Sequence, residues 1–201
     1  MKAKVGCAIL AAGASRRLGY PKQLLQHRGQ PLVRLAAECV WQSKAALCAV
    51  VVGSHADAVR SALGGLPLEL VRNPDWSEGI ASSIRTATSW ARESSCDALL
   101  LTLCDQPRLS ATHLDRLLHE HEHSGLPVAS QYAGKKGVPA LFPQAYFSQL
   151  SELQGDSGAS LLLNGSPPVA SVPWPDGELD VDTAEMAQRV LGSEPGAAEW
   201  L

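Results

Sequence analysis

The first thirty-seven residues contain no acid. They carry seven bases (Lys2, Lys4, Arg16, Arg17, Lys22, Arg28, Arg34), and Glu38 is the first carboxylate. Other absences narrow the function classes. No apolar run approaches the roughly 18 residues that span a bilayer, and no cleavable leader is visible at the N-terminus, so a soluble cytoplasmic protein is expected. The five cysteines (Cys7, Cys39, Cys48, Cys96, Cys104) are odd in number and form no Cys-x-x-Cys pair. A disulfide framework or a zinc site is therefore not expected. There is no Gly-x-Ser-x-Gly elbow, no Gly-Lys-Ser/Thr ending of a Walker loop and no Gly-x-Gly-x-x-Gly. Internal repeats, low-complexity tracts and linkers are also missing.

What is present is a globular composition, 45% apolar and 18% charged over 201 residues, enough for one domain with a sizeable core. One domain is expected over residues 1–192, with a mobile tail at 193–201. The formal net charge of −3 hides a basic N-terminal segment on an acidic body. That pattern suits a small polyanion better than a nucleic acid, which asks for an extended basic face.

The bases concentrate in one stretch. Val5–Leu10 reads as a buried strand and runs into a small-residue turn with Gly13, Ser15, Gly19, Arg16, Arg17 and Lys22. Small residues let backbone N–H groups approach a ligand, and the bases match negative charge, so the turn reads as a phosphate cradle or as a basic surface turn.

Further along, apolar runs alternate with helical spacing. Strands are predicted at Ala46–Val52, Leu66–Val71, Asp97–Leu103, Pro127–Tyr132, Val138–Phe142, Val169–Val172 and Leu179–Val181. Helices are predicted over 31–42, 55–63 (capped by Ser54), 79–92, 111–123 (capped by Ser110), 144–153, 158–163 and 183–191. The alternation predicts a three-layer α/β/α fold on a mostly parallel sheet. Ligands in such sheets bind beyond the carboxyl ends of the strands. The Gly-rich turn follows the first strand, and Cys104-Asp-Gln-Pro107 follows the fourth, so both belong on one rim. Asp105 there is placed to hold Mg²⁺, which takes one or two carboxylates plus phosphate oxygens, or simply to cap its turn. Asp180 and Asp182 share one face of an extended segment, where one completes a metal site or a residue of this segment caps the last helix. The tract His119-Glu-His-Glu-His123 puts two imidazoles at i, i+4, a spacing that a solvated helix face satisfies equally.

Leu10-Ala-Ala-Gly-Ala-Ser-Arg-Arg-Leu-Gly-Tyr-Pro-Lys-Gln-Leu-Leu25, Asn73-Pro-Asp-Trp76 with Glu78–Ile84, Cys104–Pro107, Gly137–Phe142, Gly155–Ser160 and Asp180–Thr183 occur in that order. Together they resemble the MobA-like nucleotidyltransferases, and within them the molybdenum cofactor cytidylyltransferase (MocA-like) branch. The resemblance implies a Rossmann-like fold of the nucleotide-diphospho-sugar transferase type. The implied reaction is Mg²⁺-dependent transfer of a nucleotidyl group to a phosphate acceptor with loss of pyrophosphate. By position, it implies that Leu10, Ala11, Ala12 and Gly13 contact base and ribose, and that Ser15 belongs to the nucleotide loop. Arg16 and Lys22 would hold the triphosphate and, with Asp105, carry the chemistry. Asp105 and Asp182 would hold the metal, and Gly79, Ser82 and Ser83 would line the nucleotide pocket. Gly137, Pro139, Gly155, Asp156 and Gly158 would face the acceptor.

Ala11-Ala-Gly13 is similar to the cytidylyl branch, so CTP is expected over GTP, with a molybdopterin-type acceptor and a molybdoenzyme as eventual partner. Neither nucleic acid nor membrane is expected. Val138 stands where cofactor-modifying members often have His, Ser160 where many have Arg, and Leu18 where Met is usual. These departures keep two alternatives open: another small phosphate acceptor such as a sugar phosphate, and a non-catalytic cofactor carrier.

Overall fold

A parallel strand covered on both faces is apolar at almost every position, and Val5–Ala11 is buried throughout. The computed structural model describes residues 3–164, 168–181 and 183–191. The proposed tail at 193–201 lies outside the described residues. The chain begins with β1 (Val5–Ala11), a small antiparallel ladder of β2 (Gln26–His27) and β3 (Gln30–Pro31), and α1 (Leu32–Gln42). Next come β4 (Leu47–Val52), α2 (Ala56–Ala62), β5 (Glu69–Arg72), α3 (Ile80–Glu93), β6 (Ala98–Leu103) and α4 (Ala111–Ser124). The hairpin β7 (Val128–Tyr132) and β8 (Lys135–Pro143) leads to α5 (Phe147–Ser151), α6 (Ser160–Leu163), β9 (Ala170–Pro173) and α7 (Ala184–Leu191).

The main sheet has seven strands in the order β5-β4-β1-β6-β8-β7-β9. All neighbours run parallel except β8, which is antiparallel to both β6 and β7. The fold is therefore the mostly parallel sheet that the alternation predicted, of the Rossmann-like type that the resemblance implied.

Alternate strand residues feed the two cores. Cys7, Ile9, Val50, Val52 and Leu100 pack with α1, α2 and α4 through Val33, Val40, Val59, Leu114 and Leu117. Ala8, Leu10, Val51, Leu99 and Leu101 pack on the other face with Ile84, Trp90, Phe147, Leu150 and Leu163. Period-two side chains on a sheet between two helix layers give this division directly.

Several boundaries depart from expectation. Ser54 does not cap α2. His55 holds that position without a side-chain cap, and the Ser54 N–H ties this turn to the Ala12 carbonyl at 3.1 Å. The third strand is shorter than expected at its start, beginning at Glu69, while β8 is longer. The turn before β8 contracts to Ala133 and Gly134, both with left-handed φ (50° and 70°), which brings Lys135 opposite Tyr132. Residues 179–181 form no strand. They lie past the end of β6, where the Val181 N–H reaches the Asp105 carbonyl at 3.1 Å and no ladder continues. Ser110 does cap α4, accepting the His113 N–H at 3.2 Å.

The chain goes from β1 outward to β4 and β5, then crosses to β6 on the other side of β1. Connections leave β1 and β6 in opposite directions, which opens a crevice between their carboxyl ends.

Candidate active site

That crevice holds a cavity of about 500 Å³. Its lining includes Leu10, Gly13, Ser15, Arg16 and Lys22 from the first loop, Asp105 after β6, and Trp76, Gly79 and Ser83 around the start of α3. Leu103, Asp156 and Asp180 complete it.

The loop is strained where it turns. Ser15 has φ of 53°, uncommon for a residue with a side chain. Its Oγ accepts the Lys22 N–H at 3.0 Å, and its carbonyl takes the Leu18 and Gly19 N–H groups at 3.0 and 3.1 Å. Lys22, on a one-turn helix (Lys22–Leu24), sends its Nζ across the crevice to Asp105 Oδ2. Asp105 is 3% exposed, and its Oδ1 has no hydrogen-bond partner among the described residues. A buried carboxylate oxygen without a donor is costly unless a cation meets it. This donor set fits a divalent metal: one buried carboxylate with a free oxygen beside a space for phosphate oxygens.

Asp180 joins the lining because the 179–181 segment is tied to the Asp105 backbone. Burial, and then the charges of Asp180 and Asp105, push the Tyr132 hydroxyl upward, so both carboxylates act on that side of the site. The expected second ligand Asp182 lies outside the described residues. Among the described residues, no group of three or more His, Cys, Asp or Glu is arranged around a metal. Three cations (Arg16, Arg17, Lys22) face three carboxylates (Asp105, Asp156, Asp180) across the cavity. A polyanion entering here therefore brings more negative charge than the side chains neutralise, which again calls for a metal.

The N-terminus of the 14-residue helix α3 opens on the same space, a position that favours anions. Gly79 takes φ of 128° there, and a Cβ would lie 2.6 Å from Asp156 Oδ1 and against the Gly155 carbonyl. That carbonyl also accepts the Ala81 N–H at 3.1 Å, so the 155–156 turn is fastened to the helix start. Arg85 braces the junction by gripping both Glu78 oxygens, at 2.9 and 2.5 Å, and the Leu153 carbonyl at 2.8 Å.

Of the expected nucleotide residues, Leu10, Ala12, Gly13, Ser15, Arg16, Lys22, Gly79 and Ser83 share the cavity. Ala11 and Ser82 do not line it. The Ala11 carbonyl accepts from Gln23, and the Ser82 hydroxyl sits between Asn73 Nδ2 (2.9 Å) and the Gly79 carbonyl (2.8 Å). Of the expected acceptor residues, only Asp156 lines the cavity, and Gly155 backs it through Gly79. Gly158 lies outside the lining. Gly137 packs under the Tyr132 ring, and the Pro139 carbonyl receives Ser130 Oγ at 2.6 Å, so both belong to the hairpin interior. In the histidine tract, His119 and His123 are exposed, while His121 Nδ1 bonds the Leu126 carbonyl at 2.8 Å. Burial first, then Asp105, pushes the Cys104 thiol up to about 12, which leaves it a poor nucleophile despite its position.

Four contributors had no specific role in the sequence reading. Trp76 and Asp180 were visible within quoted motifs but had no single assigned role. Gln23 and Asn73 carried no signal, because a buried amide is recognised only by the carbonyls and hydroxyls around it.

Residues 7–170 match the sequence model of the MobA-like NTP transferase domain. The chain belongs to the MobA-like NTP transferase family. Among curated MobA-like relatives, the nicotine blue oxidoreductase of Paenarthrobacter nicotinovorans is 34% identical over 91% of this chain and 94% of its own. The molybdenum cofactor guanylyltransferase of Rhodobacter capsulatus is 31% identical over 57% of each chain. Among solved structures, the Rv0371c homologue from Mycobacterium sp. strain JC1 superposes with a TM-score of 0.83 at 29% identity, covering 96% of this chain and 97% of that one. The manganese complex of Rv0371c from Mycobacterium tuberculosis H37Rv gives 0.77 at 28% identity, over 94% and 99%. The match, the sheet and the crevice together make this MobA-like protein a nucleotidyltransferase by family and fold, related to molybdenum cofactor biosynthesis proteins.

Proposed function

We propose that this protein is a divalent-metal-dependent nucleotidyltransferase that moves CMP from CTP onto the terminal phosphate of a molybdopterin-type acceptor. The observation that carries the reading is the buried Asp105, with one oxygen on Lys22 and the other without a donor, facing the basic loop across the β1/β6 crevice. In the transfer, an acceptor phosphate oxygen forms a bond to the α-phosphorus, and the bond from that phosphorus to the bridging oxygen breaks. The electron pair leaves with pyrophosphate. Such transfer rests on positioning and charge neutralisation. Arg16 and Lys22 offset charge on the triphosphate, and the start of α3 adds the helix dipole. Asp105 would hold the Mg²⁺, with Asp182 or Asp180 as second carboxylate. When bound, the metal supplies neutralisation of phosphate charge, and the manganese complex of the mycobacterial homologue supports a divalent ion in this family.

Support for cytosine comes from Ala11-Ala-Gly13, and for molybdopterin from the ordered motifs and the guanylyltransferase relative. A cytoplasmic setting and delivery of the product to a molybdoenzyme belong to the same reading. Pyrophosphate release is the test. Purified protein with Mg²⁺ is offered CTP or GTP against molybdopterin or a sugar phosphate, with Asp105→Ala as control. CTP-dependent release with molybdopterin alone is expected. Release only with a sugar phosphate moves the acceptor, and binding of molybdopterin with no turnover under any triphosphate makes the protein a carrier.

The 34% identity to a protein named an oxidoreductase favours a second reading, in which the crevice serves a redox reaction on a small molecule. The five cysteines are free thiols, and burial pushes Cys7 and Cys104 well up, so electrons would come from a second substrate. Consumption of NADH or NADPH without pyrophosphate release would select that reading.

A further inference from the structure

The structure assigns to Gln23 the role of positioning residue for the nucleotide loop, its side-chain amide holding the loop carbonyls inward so that the loop N–H groups face the triphosphate. This rests on the nucleotidyl-transfer reading of the same cavity. Gln23 is 1% exposed and does not line the cavity. Its Nε2 donates to two carbonyls, Ala11 O at 3.0 Å and Gly13 O at 2.6 Å, and its Oε1 receives Ser15 Oγ at 3.5 Å. Those carbonyls stand where β1 runs out and the flanking strands no longer serve them.

The neighbouring carbonyls are also taken. Ala12 O accepts the Ser54 N–H at 3.1 Å, and Ser15 O accepts from Leu18 and Gly19. The N–H groups of Gly13, Ala14, Ser15 and Arg16, by contrast, donate to none of the described residues. A loop whose Ala11, Ala12, Gly13 and Ser15 carbonyls are bonded and whose successive N–H groups are uncommitted among the described residues has the make-up of an anion nest. Gln23 contributes the bonds to two of these carbonyls. One nitrogen with two hydrogens reaches two carbonyls, whereas Met fills the same volume with no donor and Glu sets an acceptor against two acceptors. Gln23 also follows Lys22 on the same one-turn helix, and the Lys22 N–H holds Ser15 Oγ, so the loop and the lysine that reaches Asp105 are fixed relative to each other.

The test uses the full chain with Gln23→Met, Gln23→Glu and Gln23→Asn, CTP and GTP with Mg²⁺ as probes, and trypsin acting at the exposed Arg16 and Arg17. Below its melting temperature, Gln23→Met is expected to weaken the tighter nucleotide about tenfold or more, the scale of one or two lost hydrogen bonds. Trypsin cleavage at Arg16 and Arg17 is expected to accelerate by a similar factor. Gln23→Glu is expected to behave like Met near pH 8 and to regain nucleotide binding as the pH falls and its carboxyl becomes a donor. Gln23→Asn, with a shorter reach, is expected to fall between wild type and Met. Wild-type nucleotide affinity and cleavage rate in Gln23→Met, or in Gln23→Asn if the Met variant does not fold, overturns the role. So does the absence of any pH recovery in a folded Gln23→Glu. If the wild type binds neither nucleotide while cleavage still accelerates in the variants, the transfer reading fails and the loop-holding role stands.

Discussion

Lys22 and Asp105 are 83 residues apart in the chain and form one ion pair. Their burial is unequal: Asp105 is 3% exposed, whereas Lys22 is only half-buried. Removing one partner of a buried pair is costly because the other charge stays behind without compensation. Lys22→Met strands a buried carboxylate, while Asp105→Asn leaves the ammonium of the only half-buried Lys22, which water can reach. We therefore expect Lys22→Met to lower stability by about 2 kcal/mol or more, and Asp105→Asn by less, in urea unfolding at pH 7. Millimolar Mg²⁺ should restore part of the loss in Lys22→Met and none in Asp105→Asn. Equal costs in the two variants would overturn the burial argument, and no Mg²⁺ effect in either would mean that Asp105 is not the metal carboxylate. Both variants are expected to lose pyrophosphate release by about a hundredfold or more, the usual cost of removing a preorganised charge.

At the scale of elements, α3 is the part whose placement matters most for the site. Its first residue follows a glycine in a left-handed conformation, pressed against the 155–156 turn. Gly79→Ala forces a methyl onto the Gly155 carbonyl and strains φ, so the turn and Asp156 must move away. Nucleotide affinity is expected to fall at least tenfold by calorimetry, together with a lower melting temperature. Ser110 offers a contrast at the start of α4, on the opposite face of the sheet. Ser110→Ala removes one cap bond and is expected to cost about 1 kcal/mol in unfolding free energy while leaving nucleotide affinity unchanged. A change in affinity there would show that the two helix layers are coupled.

Across the whole molecule, the pH dependence of stability has an identifiable buried source. His113 Nε2 lies 2.8 Å from Ser130 Oγ, which itself donates to Pro139, so this nitrogen carries the proton. The ring stacks on Trp174 at 4.7 Å, and burial, then Arg116, lowers its pKa to about 4. The unfolded chain protonates this group near 6.5, whereas the native state refuses the proton until about pH 4. Between those values the unfolded state binds more protons, so stability falls as the pH drops from 6.5 toward 4 and this contribution levels off below. The full window is worth on the order of 3 kcal/mol. His113→Phe keeps a ring on Trp174 and is expected to flatten the pH 6.5–4 slope of the denaturation midpoint. An unchanged slope would move the effect to other groups, among them His27, whose pKa burial also lowers.

Much of this was written in local sequence. The near-continuous apolar runs determined β1, β4 and β6, because a strand covered on both faces is apolar at almost every position, with the buried Thr102 of β6 as the exception. The small, basic turn after β1 and the Asp105 turn after β6 placed both halves of the site on one rim, since parallel strands all end on the same side. Ser110 announced α4 through its own cap. Tertiary structure alone decided which rim residues meet. The strand order makes β1 and β6 neighbours, and the order in space follows from packing rather than from the order in the chain. It decided that Asp180 approaches Asp105, because a 179–181 segment with strand-like residues found no ladder and was tied to one carbonyl instead. It also turned Ser82, Gly137 and Pro139 inward and gave Gln23 its two carbonyls. A buried polar side chain takes its meaning from the partners that folding brings to it, and those partners lie outside its own stretch of sequence.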